Sequence, residues 1–139
     1  MGYVELKQKH QAEVNDFPMV FAFSNEQFAE AMAKLGLQED DLDKVYKFGD
    51  TGGIYRREDA ERLHSMFRRH DAEMAEAMQE PAFALEAFDY ELSNHEFCIT
   101  GSVEDTLAAL GLSDADIDAN SVLKEALQKA VEHQKEVRV

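Results

Sequence analysis

The residues most able to do chemistry lie near the C-terminal end of the sequence. Asp114, Asp116, Asp118 and Asn120 alternate, and Glu125 follows them. That spacing puts oxygen ligands at positions 1, 3, 5, 7 and 12 of an EF-hand-like loop, the donor set a seven-coordinate Ca²⁺ needs. Ala119 stands where the sharp turn of such a loop requires glycine, and Ser121 where an apolar residue pairs loops. A capped helix start also favours acids, so Ser113 ahead of Asp114 and Asp116 accounts for most of the pattern. Glu61-x-x-His64 has the spacing of half a di-iron site, but no second copy exists. Glu91 and His95 are four residues apart and suit an ion pair on a helix at least as well as a shared ligand. Cys98 with His95 would be the one nucleophile and base; set in the apolar run Phe97–Thr100, the thiol reads as buried packing. Gly49, Gly52 and Gly53 lack the Lys-Ser/Thr of a phosphate loop and read as a turn. No reaction is assigned by these groups, and no cofactor is implied.

Charge is the more informative signal. The chain has 139 residues, with 29 acidic against 14 basic, a net charge of −15. Such an excess disfavours direct contact with nucleic acid or an anionic membrane. The excess is uneven. Between His70 and Leu123 there are thirteen acids and no lysine or arginine. Just before that stretch, Arg56, Arg57, Arg62, Arg68 and Arg69 oppose only Glu58, Asp59 and Glu61, and these are five of the six arginines in the chain. The sequence is therefore polar along its length, with a basic segment followed by a long acidic one. Acids that merely keep a small protein in solution give the same totals.

These residues have to be placed by secondary structure. Tyr3, Leu6, His10, Val14 and Phe17 recur at helical spacing, and Pro18 stops that helix. Phe17–Phe23 reads as a strand, and Ser24-Asn25-Glu26-Gln27 as a capping box opening a helix that closes at Gly36. Val45–Arg56 reads as a β-hairpin around the glycine turn. Leu63, Met66, Phe67, His70, Met74, Ala77 and Met78 form one apolar stripe, which predicts a helix over 58–79 with His70 in the core. Pro81 suits the first turn of the next helix, over 81–94. Phe97–Thr100 reads as a further strand, and two more helices are expected, one capped at Ser102 and closed at Gly111, the other over 121–136. Residues 33–43 match 108–118 at six of eleven positions. A duplicated module would explain the match, and so would independent use of one capping solution.

The expectation is a single domain, residues 1–139, of the helix-rich α+β class with a small antiparallel sheet and a weak internal duplication. On the long helix, Glu73, Glu76 and Glu80 would line the solvent side over roughly 10 Å of axis. Glu86 and Asp89 extend that acidic surface. A row of carboxylates at this density can occupy a nucleic-acid-binding groove as DNA does, by meeting lysines and arginines and releasing counterions.

Met1-Gly2-Tyr3-Val4-Glu5-Leu6-Lys7, Phe17-Pro18-Met19, Phe21–Phe28, His95–Thr100 and Glu104–Leu107 together resemble a family of small acidic proteins encoded by gut anaerobic bacteria and by their phages and mobile elements. The resemblance covers nearly the whole chain and implies no activity and no site residues. It implies a setting in which small acidic proteins inhibit host defence. The reading that follows is a non-enzymatic, DNA-mimic-like interaction protein of a phage or mobile element. It would contact a basic protein partner through Glu73, Glu76, Glu80, Glu86 and Asp89. One alternative is a binder of nucleotides or other small anions through Arg56, Arg57, Arg62, Arg68 and Arg69. The other is a degenerate Ca²⁺ module built on Asp114, Asp116, Asp118, Asn120 and Glu125. The lone cysteine cannot form an internal disulfide. With no leader or membrane span legible, and Leu6 where myristoylation needs Ser or Thr, a cytoplasmic location is expected.

Overall fold

Ser24, Gly36, Pro81, Gly111 and Ser113 punctuate the chain into helices, and a computed structural model, which describes residues 1–137, follows that punctuation closely. The elements are α1 (Tyr3–Asp16), β1 (Val20–Phe21), α2 (Asn25–Lys34), β2 (Val45–Phe48), β3 (Gly53–Arg56), α3 (Ala60–Ala77), α4 (Pro81–Asn94), α5 (Phe97–Thr100), α6 (Glu104–Ala109), α7 (Asp114–Ala119) and α8 (Ser121–Val137), with 3-10 turns at Leu42–Lys44 and Arg57–Asp59. The class is helix-rich α+β, with one three-stranded antiparallel sheet ordered β1-β3-β2. The chain packs as two units: residues 1–10 with the chain from Asp71 onward (unit 1), and Gln11–His70 (unit 2). None of the described helices is long and apolar enough to cross a membrane.

In unit 2 the central strand β3 is covered on both faces. Successive side chains of a strand point to opposite sides. Ile54 accordingly joins Ala31 and Leu35 of the α2 region, while Tyr55 joins Phe17 and Leu63. The hairpin holds the register Val45↔Arg56 through Phe48↔Gly53, and β1 adds Val20↔Ile54 on the other edge. In unit 1 the seam is α4 against α8. Ala84, Ala87, Ala126 and Ala130 let the two helices approach, and Phe83, Phe88, Leu92 and Leu123 fill the space beside them.

The two halves of the internal match share backbone geometry. Gly36 and Gly111 both take positive φ, at 76° and 69°. Leu37 N donates to Met32 O and Leu112 N to Leu107 O, each at 2.9 Å, closing both helices the same way. Asp41 then accepts from Gln38 N at 2.8 Å, and Asp116 from Ser113 N at 2.9 Å. The copies differ around that bond: Asp116 lies inside α7, whereas Asp41 only precedes the 3-10 turn Leu42–Lys44.

Two expectations need correcting. Phe97–Thr100 is a helical turn, not a strand. It is isolated between Glu96 and Gly101, both left-handed (φ 56° and 68°), and only Phe97 reaches the core. The β-forming character of Ile99 and Thr100 is a weak preference that this context overrides. In consequence Cys98 is exposed, not buried, and Ile99 is 74% exposed. Of the expected strand Phe17–Phe23, only Val20–Phe21 pairs, and Phe17 instead caps one of the apolar clusters.

Candidate functional site

The acidic residues of unit 1 divide into those bonded within the protein and those left to solvent. Glu80 is the N-cap of α4, its carboxylate accepting from Ala82 N at 3.2 Å and Phe83 N at 2.8 Å. Glu86 accepts from Val4 N at 3.1 Å and packs so near Gly2 that a Cβ there would lie 2.7 Å from its oxygen. Asp89 accepts from Gln134 Nε2 at 2.7 Å and pairs with His133 Nδ1 at 2.7 Å, tying α4 to α8. Glu73 lies 3.4 Å from His10 and 3.9 Å from Lys9. Of the five carboxylates expected to contact a partner, only Glu76 is exposed without such a bond among the described residues. Helical spacing shows which residues share a face; it does not show that α1 and α8 stand opposite them.

A different set is open. Asp71, Glu76, Glu96, Glu104, Asp105, Asp114 and Asp118 are exposed, and among the described residues none has an ion-pair partner. They lie in a unit whose sequence carries seventeen acids against six bases, or −11, while unit 2 carries twelve against eight, or −4.

The least expected feature is a buried carboxylate. Glu91 is 1% exposed. It accepts from Tyr3 Oη at 3.1 Å and Lys7 Nζ at 2.9 Å, and His95 Nε2 stands 3.5 Å away. Burial, followed by the charge of Glu91, pushes the Tyr3 hydroxyl well above the usual tyrosine range, so it remains a donor throughout ordinary pH. Lys7 also lies 5.2 Å over the Tyr90 ring. The sequence holds a trace of this arrangement. Tyr3 and Lys7 are four apart on one helix, Glu91 and His95 four apart on another, and the pairs are chemically complementary. Their 88-residue separation hides it. Chemically the cluster is a bonded pin between α1 and α4 with no open position.

The arginines do not converge. Arg56 ends β3 and Arg57 opens the 3-10 turn after it, at the opposite end of the hairpin from the glycine turn, whereas Arg62, Arg68 and Arg69 ride on α3. Arg56 pairs with Glu58 at 3.0 Å, Arg57 stacks 4.5 Å over Tyr46, Arg62 lies 5.3 Å over Phe17, and Arg68 pairs with Glu61 at 2.7 Å. Arg69 binds Glu13 through two nitrogens and, with His70 beside it, holds that carboxyl down at about 2. Arg56 and Arg57 do share a cleft of about 320 Å³ with Gly36, Leu37, Lys44 and Glu58, and Arg56 Nε, shielded from solvent, has no hydrogen-bond partner among the described residues.

The Ca²⁺ pattern is dispersed into helix caps. Asp116 and Ser113 cap α7 reciprocally, which holds the Asp116 carboxyl below the usual range. Asn120 Oδ1 accepts from Val122 N and Leu123 N at the start of α8, and its amide nitrogen donates to Gln79 Oε1 at 3.0 Å. Glu125 pairs with Lys129 at 3.1 Å, while Asp114 and Asp118 face solvent. Among the described residues no three His, Cys, Asp or Glu side chains are grouped to hold a metal ion.

A family model described as a family of unknown function, DUF7659, matches residues 2–133. The chain belongs to that family. The match spans both units and every site above except the last turn of α8. DUF7659 carries no assigned activity, in keeping with the implication drawn from the residues of the N-terminal segment and the 95–107 region. No curated protein and no solved structure matches the chain.

Two outcomes follow from the bonded acids. Glu91→Ala leaves the Tyr3 hydroxyl buried without an acceptor and should cost about 3 kcal/mol in urea unfolding. Glu91→Gln, which keeps an acceptor oxygen, should cost less than half as much; equal losses would remove the bonded pin as an explanation. Asp89 raises the pKa of His133 above its ordinary 6.5. A raised folded pKa stabilises the protonated state, so this contribution is complete below about pH 6.5 and lost as pH rises through the raised value. The thermal midpoint of the native chain should therefore exceed that of His133→Gln at pH 6, and the gap should narrow steadily as pH is raised above the ordinary histidine range.

Proposed function

We propose that the chain is a non-enzymatic interaction protein that presents the acidic surface of unit 1 to a basic protein partner. The observation behind this reading is the set of seven exposed carboxylates, Asp71, Glu76, Glu96, Glu104, Asp105, Asp114 and Asp118, which have no cation partner among the described residues. Fixed, unneutralised carboxylates attract a cationic surface at long range and release its counterions on contact. A protein built to hold nucleic acid offers such a surface. The finer reading, resting on the sequence resemblance, is a cytoplasmic inhibitor from a phage or mobile element that occupies the groove of a nucleic-acid-handling or defence protein. The same charge disfavours nucleic acid and anionic membranes as direct partners.

The contact residues in this proposal share only Glu76 with the Glu73–Asp89 stripe. The triple variant Glu104→Gln, Asp105→Asn, Asp114→Asn touches no internal bond to a side chain, so it should fold normally. A basic partner captured from host lysate at low salt should be displaced by duplex DNA, and the triple variant should bind it at least tenfold more weakly with a flatter salt dependence. Capture indifferent to the triple substitution would overturn the proposal.

A second reading has one observation of its own, the cleft that Arg56, Arg57 and Lys44 line together, with Arg56 Nε buried and unbonded among the described residues. Buried donors in folded proteins are nearly always bonded, and guanidinium groups are suited to phosphate oxygens. In this reading the cleft takes a small phosphate-bearing anion. Pyrophosphate or a nucleoside diphosphate should then raise the thermal midpoint of the native chain and fail to raise that of the Arg56→Gln, Arg57→Gln variant. No shift in the native chain would dismiss it.

A further inference from the structure

Within unit 1, α3 and the connection from α6 to α7 enclose an apolar cleft of about 390 Å³. Its lining is Met74, Met78, Leu110, Leu112 and Leu123, with Asp71 at the edge. Met78 and Leu123 are buried and form its floor, whereas Met74, Leu110 and Leu112 are only half-buried and keep apolar carbon in contact with water. Gln79 also lines the cleft, and its bond to Asn120 anchors one end, because Asn120 is itself fixed as the cap of α8. The cleft thus has a braced frame and a methionine wall. Unbranched methionine side chains adjust to differently shaped apolar groups. The volume falls within the range of clefts that seat small groups, about 300–1,000 Å³.

Charge limits what can enter. Asp71 lines the cleft, and Asp114 opens α7 two residues beyond Leu112. Neither has a cation partner among the described residues, and residues 71–123 hold no lysine or arginine. An occupant must be apolar where it meets the methionines and cationic where it crosses the rim. We propose that this cleft seats an apolar anchor side chain from a basic, amphipathic segment of the protein partner. The inference rests on the acidic-surface reading and adds a hydrophobic anchor to it: charge draws the segment in, and burial of the anchor holds it. A few such anchors carry most of the affinity of a protein interface.

The test uses the full chain and two synthetic peptides of equal charge, one of lysine and leucine at helical spacing, the other with serine in place of each leucine. The leucine peptide should bind at least tenfold more tightly at low salt and should shift the methyl resonances of Met74 and Met78 but not those of Met19 and Met66. Met74→Gln should remove most of that preference, and Asp71→Asn should weaken both peptides by a similar few-fold. The methyl readout needs no substitution, so a misfolded variant cannot rescue or sink the result. Equal binding of the two peptides, or silent Met74 and Met78 methyls, would overturn the anchor while leaving the acidic surface standing. Failure of both peptides to bind would overturn both.

Discussion

A carboxylate buried within a helix face must find a donor, because an unpaired charge out of water costs more than a small fold can spare. Helix α4 is under that constraint. Phe83, Ala84, Ala87, Phe88 and Leu92 are all buried together with Glu91, whereas Asp89 is half-buried and Glu86 exposed. Each acid is answered from a different direction: Glu86 by the backbone of Val4, Asp89 by His133 and Gln134 of α8, Glu91 by Tyr3 and Lys7. The first turns of α1 and the last turns of α8 are therefore placed by the charges of α4 as much as by its apolar face. The exposed carboxylates of the proposed surface, without an ion-pair partner among the described residues, lie on α3, α6 and α7, with Glu96 just ahead of α5.

Much of the architecture is legible in local signals. The stripe from Leu63 to Met78, the proline opening α4, the glycines closing α2 and α6, and the hairpin around Gly49–Gly53 all act over a few residues. Phe97–Thr100 is the counterexample. Four apolar residues are too few to show a period, and what decides their state is the pair of left-handed residues at Glu96 and Gly101. The site is less legible than the fold. Glu73, Glu80, Glu86 and Asp89 stand where helical spacing puts them, but whether each faces water depends on segments up to 82 residues away. The EF-hand-like spacing illustrates the same point, since Asp116 and Asn120 use their oxygens on backbone amides within three residues.

Charge polarity along the chain persists in three dimensions in altered form. Unit 1 keeps most of the negative excess, whereas the arginine segment of unit 2 is largely consumed by Glu13, Glu58, Glu61 and aromatic faces. The acidic side is thus the more open of the two. The match to DUF7659 covers residues of both units, the acidic helical one and the one that carries the three-stranded sheet.

The pairing of Tyr3 with Glu91 has a consequence in time as well as in space. Unit 1 is interrupted in the chain: its first ten residues are made before the whole of Gln11–His70, and the helix they dock on is made after it. Unit 2 is continuous in the chain, Gln11–His70. The opening turns of α1 must wait, with Tyr3 and Leu6 exposed, for a closure spanning 88 residues. Such long closures slow folding far more than they weaken the folded state.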